Sequence, residues 1–423
     1  MRRRFARLNH ILIPSTEAER ERFRRSRVGR FARRFAGLYY RSTREGQLVA
    51  AIALFAGLTG LDVSSTDAHL LFSLAIGLLV ASWIVSQRLS MRAAKLSVAC
   101  PPRVTLGEEL RFSIAIDNES DDELGRAQVV GPFLPWDGEW SDQRPAPVNV
   151  PARSAVRCEA RARFRQRGVH HLEPFRAARA APFGLSLGPT IESRAPRFVV
   201  VPKIATVLSL RMPQPRVVRT GGTPLFNRAG ESMDLMGTRP YRPGDRTRDL
   251  HAKSWARTRT PVVREYAQEA TAAVGVLLDP SGEDDDAFDA RLSLVAGMLS
   301  FLRASGAVPE LIVASDTGRD LVIGPRFAAI EQALELLGCV DPCPAQSPEA
   351  LAARVARRET PWTRALVVAG ERGGWQSAVA SALVREGIPC ATFIVSATEA
   401  ESQTDNSRVL SHERVLSGEG LLL

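Results

Sequence analysis

Apolar and polar residues follow three different patterns along these 423 residues. Two long apolar runs come first, Gln47–Leu61 and Ala68–Ser86, and neither contains Asp, Glu, Lys or Arg. At about 1.5 Å per helical residue these runs reach roughly 22–29 Å, against a hydrocarbon core of about 30 Å. The pattern predicts a transmembrane hairpin over 47–87, with helices at 47–63 and 68–86. Its connection, Asp62–Asp67, is acidic, whereas Arg41, Arg44, Arg88, Arg92 and Lys95 lie outside the two runs. The positive-inside rule then predicts that both ends of the hairpin, and both termini, face the cytoplasm.

The second pattern runs over 92–203. Short alternating or clustered apolar stretches (Leu96–Ala99, Leu110–Ile116, Gln128–Val130, Val156–Ala160, Arg197–Val201) are punctuated by Pro and Gly. Strands at this spacing predict an all-β sandwich domain. The third pattern occupies 271–398, where strands and helices take turns. Ala272–Leu278 reads as a buried strand, and Phe288–Ala304 as a helix with Leu292, Val295, Ala296, Leu299 and Leu302 on one stripe. Strands at Pro309–Ala314 and Asp320–Ile323, joined by the hairpin turn Ser315-Asp-Thr-Gly, and at Arg364–Ala369 and Cys390–Val395 are expected, with helices at 327–337, 348–358 and 376–386. Such alternation predicts an α/β domain with a mostly parallel sheet, whose ligands would bind at the carboxyl ends of its strands. Residues 204–270 form a charged segment between the two domains, and 399–423 a tail.

Charge changes this picture at one end only. The formal net charge is +10, and residues 1–46 alone hold 14 Arg, no Lys and 4 Glu, or 14 − 4 = +10. The rest of the chain is therefore balanced, and no nucleic-acid partner is expected. Phe5, Leu8, Ile11, Leu12, Phe23, Phe31, Phe35 and Leu38 recur along the basic segment. This suits a juxtamembrane element on anionic lipid, so residues 1–86 are expected to contact membrane lipid. Five scattered cysteines fit a reducing compartment and neither a disulfide framework nor a zinc site.

The densest chemistry lies in Thr238–Arg257 and its continuation Val263–Tyr266. Arg239, Tyr241, Pro243, Gly244, Asp245, Arg248, His251, Lys253, Arg257, Arg264 and Glu265 are the candidate signature residues. Pro243-Gly244-Asp245 has the chemistry of a tight turn. The segment resembles the signature of the domain-of-unknown-function 58 family: Arg-x-Tyr-x-Pro-Gly-Asp, a basic spacer, a His and a Lys ahead of Ala-Arg, then Val-Arg-Glu. Ala252 stands where that family usually has Trp, and Trp255 where it usually has Ser. Arg165–His170 and Ala181–Leu185 resemble two further family elements, with Ala181 in place of Asp.

The resemblance spans roughly residues 48–396. It implies a bacterial cytoplasmic-membrane protein, multi-pass, with a von Willebrand factor A-like domain and a MoxR-type AAA+ ATPase as partner. The expected fold class is thus α/β of that type, plus the sandwich and the hairpin. The resemblance also points to a divalent-cation site. The family's Asp-x-Ser-x-Ser appears as Asp279-Pro-Ser281-Gly-Glu283, and Glu371 stands where a later Asp is usual. Mg²⁺ prefers hard oxygens in octahedral array, so Asp279, Ser281, Glu283 and Glu371 form a candidate, degenerate Mg²⁺ site. A solvated acidic turn with Asp279 as a strand-end cap explains the same residues.

Two function classes follow. The first is a membrane-anchored, cytoplasm-facing adaptor acting with the ATPase in assembly or maturation of a complex or envelope process. The second is a hydrolase or transferase using His251 with Asp245, Asp249 or Glu265. No Gly-x-Ser-x-Gly elbow accompanies His251, and Gly221-Gly222 and Gly373-Gly374 lack the Lys of a phosphate-binding loop. The chain is expected not to be an enzyme.

Overall fold

Strict alternation over Glu109–Asn118 turns Leu110, Phe112, Ile114 and Ile116 to one face, and all four are buried. Successive side chains of a strand point to opposite faces, so such a run covers a core on one side and meets water on the other. The computed structural model describes residues 21–23, 25–27, 29, 41–59, 66–142, 145–213, 235–243, 245, 247–266, 273–283, 286–315, 320–322, 327–358, 362–370, 374–396, 402–404 and 407–423. The chain divides into two units: Met1–Pro202 with Glu335–Val340, and Lys203–Leu334 with Asp341–Leu423.

In the first unit, helices α1 (Arg44–Thr59) and α2 (Thr66–Ser86) precede eleven short strands. These are β1 (Ala94–Ala99), β2 (Arg103–Thr105), β3 (Glu109–Asn118), β4 (Leu124–Val130), β5 (Gly138–Asp142), β6 (Val148–Val150), β7 (Ala155–Phe164), β8 (Gly168–His171), β9 (Arg176–Arg179), β10 (Ile191–Glu192) and β11 (Arg197–Val201). They form three small sheets, ordered β1-β3-β7-β5, β10-β9-β4-β6 and β2-β11-β8. The first two are antiparallel throughout, and the third joins β2 and β11 in parallel. Phe112, Phe164, Phe175 and Phe198 fill the core with Trp140, their ring centroids 4.9–6.2 Å apart.

The Ala181–Leu185 element has a definite role. It makes a turn through a short 3₁₀ segment, Pro182–Gly184, with Phe183 at φ 64°. The start of α1 and the end of α2 are seated on it. The Thr43 hydroxyl donates to the Gly184 carbonyl at 2.5 Å and accepts from the Gly46 N–H at 3.0 Å. The Ser82 and Ser186 hydroxyls meet at 2.7 Å, and the Leu187 N–H donates to the Arg41 carbonyl at 2.7 Å.

The second unit holds β12 (Val207–Ser209), β13 (Leu235–Pro240), α3 (Ala252–Thr258), β14 (Val262–Tyr266), β15 (Ala273–Leu278), α4 (Asp286–Ala304), β16 (Val308–Val313), β17 (Asp320–Val322), α5 (Phe327–Gly338), α6 (Pro348–Ala356), β18 (Arg364–Gly370), α7 (Trp375–Arg385), β19 (Cys390–Ser396), β20 (Ser402–Thr404), β21 (Ser407–Ser411), α8 (His412–Ser417) and β22 (Leu421–Leu422); the end of α5 counts with the first unit. Seven strands form one sheet, ordered β17-β16-β15-β18-β19-β21-β20. Its inner pairs are parallel, and β17 and β20 return antiparallel at the edges. Every residue of β15 is buried, as a strand covered on both faces requires. Residues 399–423, read from sequence as a tail, supply β20 and β21 to this sheet, and β22 pairs with β12.

Two expectations are corrected here. The chain is mixed α/β with many small antiparallel sheets, not a von Willebrand factor A-like parallel sheet beside one β-sandwich and a transmembrane hairpin. Strand–helix alternation specifies parallel neighbours only where a helix crosses over. Short connections, as from β16 to β17 and β20 to β21, return the strand antiparallel. The second correction concerns the multi-pass membrane assignment. Among the described residues only Asp67–Ser86 is a helix long and apolar enough to cross a membrane. The first helix has 16 residues and includes Arg44 and Glu45, which is short of the roughly 20 apolar residues a span needs.

Candidate functional site

Two places in the second unit gather the chemistry singled out by sequence. The first is the charged segment. Strands β13 and β14 pair antiparallel, Thr238 opposite Arg264 and Arg239 opposite Val263, and the chain between them carries a 3₁₀ turn at Thr247–Asp249 and α3. The signature is thus a two-stranded ribbon with a helical cap.

Its shape is fixed by Asp245. One Arg239 guanidinium nitrogen donates to Oδ2 at 2.7 Å and the other to Oδ1 at 2.8 Å, a paired geometry that suits guanidinium and carboxylate. The Arg242 N–H also donates to Oδ2 at 2.8 Å, and the Asp245 N–H returns a bond to the Arg242 carbonyl at 3.0 Å. The Arg239 hydrogen bond first, and that backbone bond second, pull the Asp245 carboxyl down to about 2. Tyr241 joins the ribbon through its N–H to the Pro261 carbonyl at 2.8 Å.

His251 starts α3. Its N–H donates to the Val262 carbonyl at 2.8 Å, its carbonyl accepts from the Trp255 N–H at 3.0 Å, and ring Nδ1 lies 2.6 Å from the Ser254 hydroxyl. The helix ends at Arg259, whose left-handed φ of 55° lets its N–H reach the Trp255 carbonyl at 2.9 Å. Arg242, Pro243, Lys253, Trp255, Arg257 and Arg264 are exposed. Gly244 lies outside the described residues, as do the side chains of Arg248 and Glu265.

The second place is the carboxyl end of β15. Asp279 is 1% exposed, and its Oδ1 accepts the Ser281 N–H at 2.9 Å. The group facing it is Arg291 of α4, itself buried. Nη1 donates to the Asp279 carbonyl at 3.0 Å and stands 4.0 Å from Oδ2. Arg291 Cζ lies 4.7 Å from the centre of the Phe288 ring. Glu283 is exposed and Glu371 lies outside the described residues. Among the described residues no group of three or more His, Cys, Asp or Glu is placed to hold a metal ion.

Sequence reasoning passed over three buried polar arrangements. Arg291 is one. It occupies the apolar stripe of its helix, four residues before Val295, and a charge at such a position is the signal that could have found it. Another is Asp137–His170 in the first unit. His170 Nε2 lies 2.7 Å from Asp137 Oδ2, Nδ1 lies 3.1 Å from the Gly168 carbonyl, and the ring stacks on Phe198. The third is Glu310 on β16, which pairs with Arg358 and accepts from the Trp362 indole N–H at 2.5 Å.

No family model matches the chain, and no curated protein matches it. Several solved structures share parts of it. Native α2-macroglobulin from Escherichia coli is 16% identical, over 29% of this chain and 8% of that one, with a TM-score of 0.22. A CARDB domain from Pyrococcus furiosus is 8% identical over 26% and 94%, with a TM-score of 0.17. A cohesin module from a Clostridium perfringens family 33 glycoside hydrolase is 9% identical over 26% and 95%, also at 0.17.

Proposed function

We propose that this chain is an interaction protein, an adaptor whose signature ribbon docks a protein partner. What carries the reading is the division of labour within the ribbon. Asp245 spends both carboxylate oxygens on Arg239 and on the Arg242 backbone, so its charge fixes the shape of the turn. Arg242 and Arg264 on the ribbon, and Lys253 and Arg257 on its helical cap, are exposed, as is Trp255 at 43%. Arg and Trp are the residue types that dominate interface energetics, and a rigid scaffold lowers the entropic cost of docking. Exposed basic groups of this kind suit an acidic partner surface. The resemblance of the segment to the domain-of-unknown-function 58 signature supports a MoxR-type AAA+ ATPase as that partner, in assembly or maturation of a protein complex. Of the three carboxylates that a hydrolase built on His251 could use, Asp245 is already engaged by Arg239 and the Arg242 N–H.

The test is capture of the full chain with chemical cross-linking, beside a Lys253→Glu/Arg257→Glu variant. An AAA+ ATPase is expected with the native chain, and its yield should fall at least tenfold with the variant at unchanged Tm. Equal capture by both chains would refute the docking face.

A further inference from the structure

The residues at the carboxyl end of β15 pose a question of fit. A divalent cation bound there would need several hard oxygens converging on one point with room for water. Among the described residues this strand end presents one buried carboxylate, Asp279, with Oδ1 already accepting the Ser281 N–H. Its other oxygen faces a guanidinium. Three described residues lie close to that guanidinium. A Cβ at Gly282, where φ is 120°, would lie 2.9 Å from Arg291 Nη2. A Cβ at Gly370, the last residue of β18, would lie 3.5 Å from Arg291 Cζ and Nη1. The Phe288 ring lies against the same group at 4.7 Å. Two adjacent strand ends and the loop after β15 therefore converge on Arg291.

We propose that Arg291 stands in the place of a divalent cation: its guanidinium supplies the positive charge that buried Asp279 requires and fills the crevice between the ends of β15 and β18. A buried carboxylate stripped of its countercharge is costly, so one of two cations has to be present. Here the cation is covalently part of α4. It joins the helix to the strand end through the Asp279 carbonyl as well as the carboxylate. This sheet edge is accordingly metal-independent, and anything that contacts it does so without a bridging ion.

Calorimetry and thermal unfolding of the full chain test this. Native protein should show no heat with Mg²⁺ or Mn²⁺ and no shift in Tm at millimolar metal. Heat that disappears in Asp279→Asn would overturn the proposal. Arg291→Met keeps the stem and removes the charge, so its Tm should fall. Adding Asp279→Asn removes the orphaned carboxylate and should recover at least half of that fall. Additive losses would mean that the two side chains are not a charge pair. Should Arg291→Met fail to fold, folding of the double variant supports the pairing. Failure of the double variant while Asp279→Asn folds alone refutes it.

Discussion

Asp245 shows what single residues do in this chain. Its carboxyl is lowered to about 2 by Arg239 and the Arg242 N–H, against an unfolded value of about 3.9. The sign follows from linkage: a carboxylate with a depressed folded value contributes stability that is present above the unfolded value and lost as pH falls through the folded one. Asp245→Asn should therefore lower the Tm at neutral pH. The gap between variant and native chain should shrink as pH falls from about 4 to about 2. Parallel Tm curves across that window would show that the clamp contributes nothing through ionisation. The motif made the turn at Pro243–Asp245 legible. The choice of Arg239 among the many nearby arginines was not, because spacing alone does not say which of them, here one six residues before Asp245, turns its guanidinium to the carboxylate.

At the scale of elements, the seven-stranded sheet depends on one close approach. Gly275 lies in the middle of β15, between β16 and β18, and a Cβ there would sit 2.1 Å from the Trp362 ring. Trp362 is held in place by its indole N–H on Glu310, which also pairs with Arg358. Gly275→Ala cannot be absorbed by a small shift of that ring without loosening the Glu310 contact. A loss of roughly 1–3 kcal/mol is expected, the usual range for overpacking a core. Chemical denaturation followed by Trp fluorescence measures it, and an unchanged midpoint would show that the ring moves freely. The apolar runs that sequence assigned to strands and helices fall in β15, α4, β16, α6, β18, α7 and β19, because periodicity reports directly which face an element buries. The antiparallel return of β17 onto β16 was legible in the hairpin signal Ser315-Asp-Thr-Gly, whereas the edge at β20 went unread, since its residues carry no periodicity and pairing direction is set by connections.

Among the described residues, exposed large apolar side chains concentrate on α1 and α2. Ala53, Ala56 and Ala75 are buried, but Leu48, Leu54, Phe55, Leu58, Leu70, Leu74, Trp83 and Ile84 are exposed. Exposed apolar surface of this extent drives association in water. The full chain should sediment as large species without detergent and as one discrete species with it. Replacing Leu54, Phe55 and Leu74 by Ser should reduce the association. A discrete species in plain buffer would show that this surface is covered in the native chain. The basic charge concentrated in residues 1–46 was legible as a compositional fact, whereas counting membrane spans from apolar runs failed. Freedom from charge does not by itself give a run the roughly 20 apolar residues that a span needs.

By itself the sequence determined the alternation that buries Leu110, Phe112, Ile114 and Ile116, the buried strand Ala273–Leu278, and the turn chemistry around Asp245. Each of these depends on neighbours a few residues apart, where spacing and side-chain type decide the outcome. Only the tertiary structure decided which charges meet. Arg291 lies twelve residues from Asp279 and Arg358 lies far from Glu310 along the chain, so no local pattern links them. Helix α4 packing on the sheet turns Arg291 towards the end of β15, and the return of the chain after α6 brings Arg358 to β16. Burial then makes each pairing obligatory, because a charge removed from water has to find its opposite within the fold.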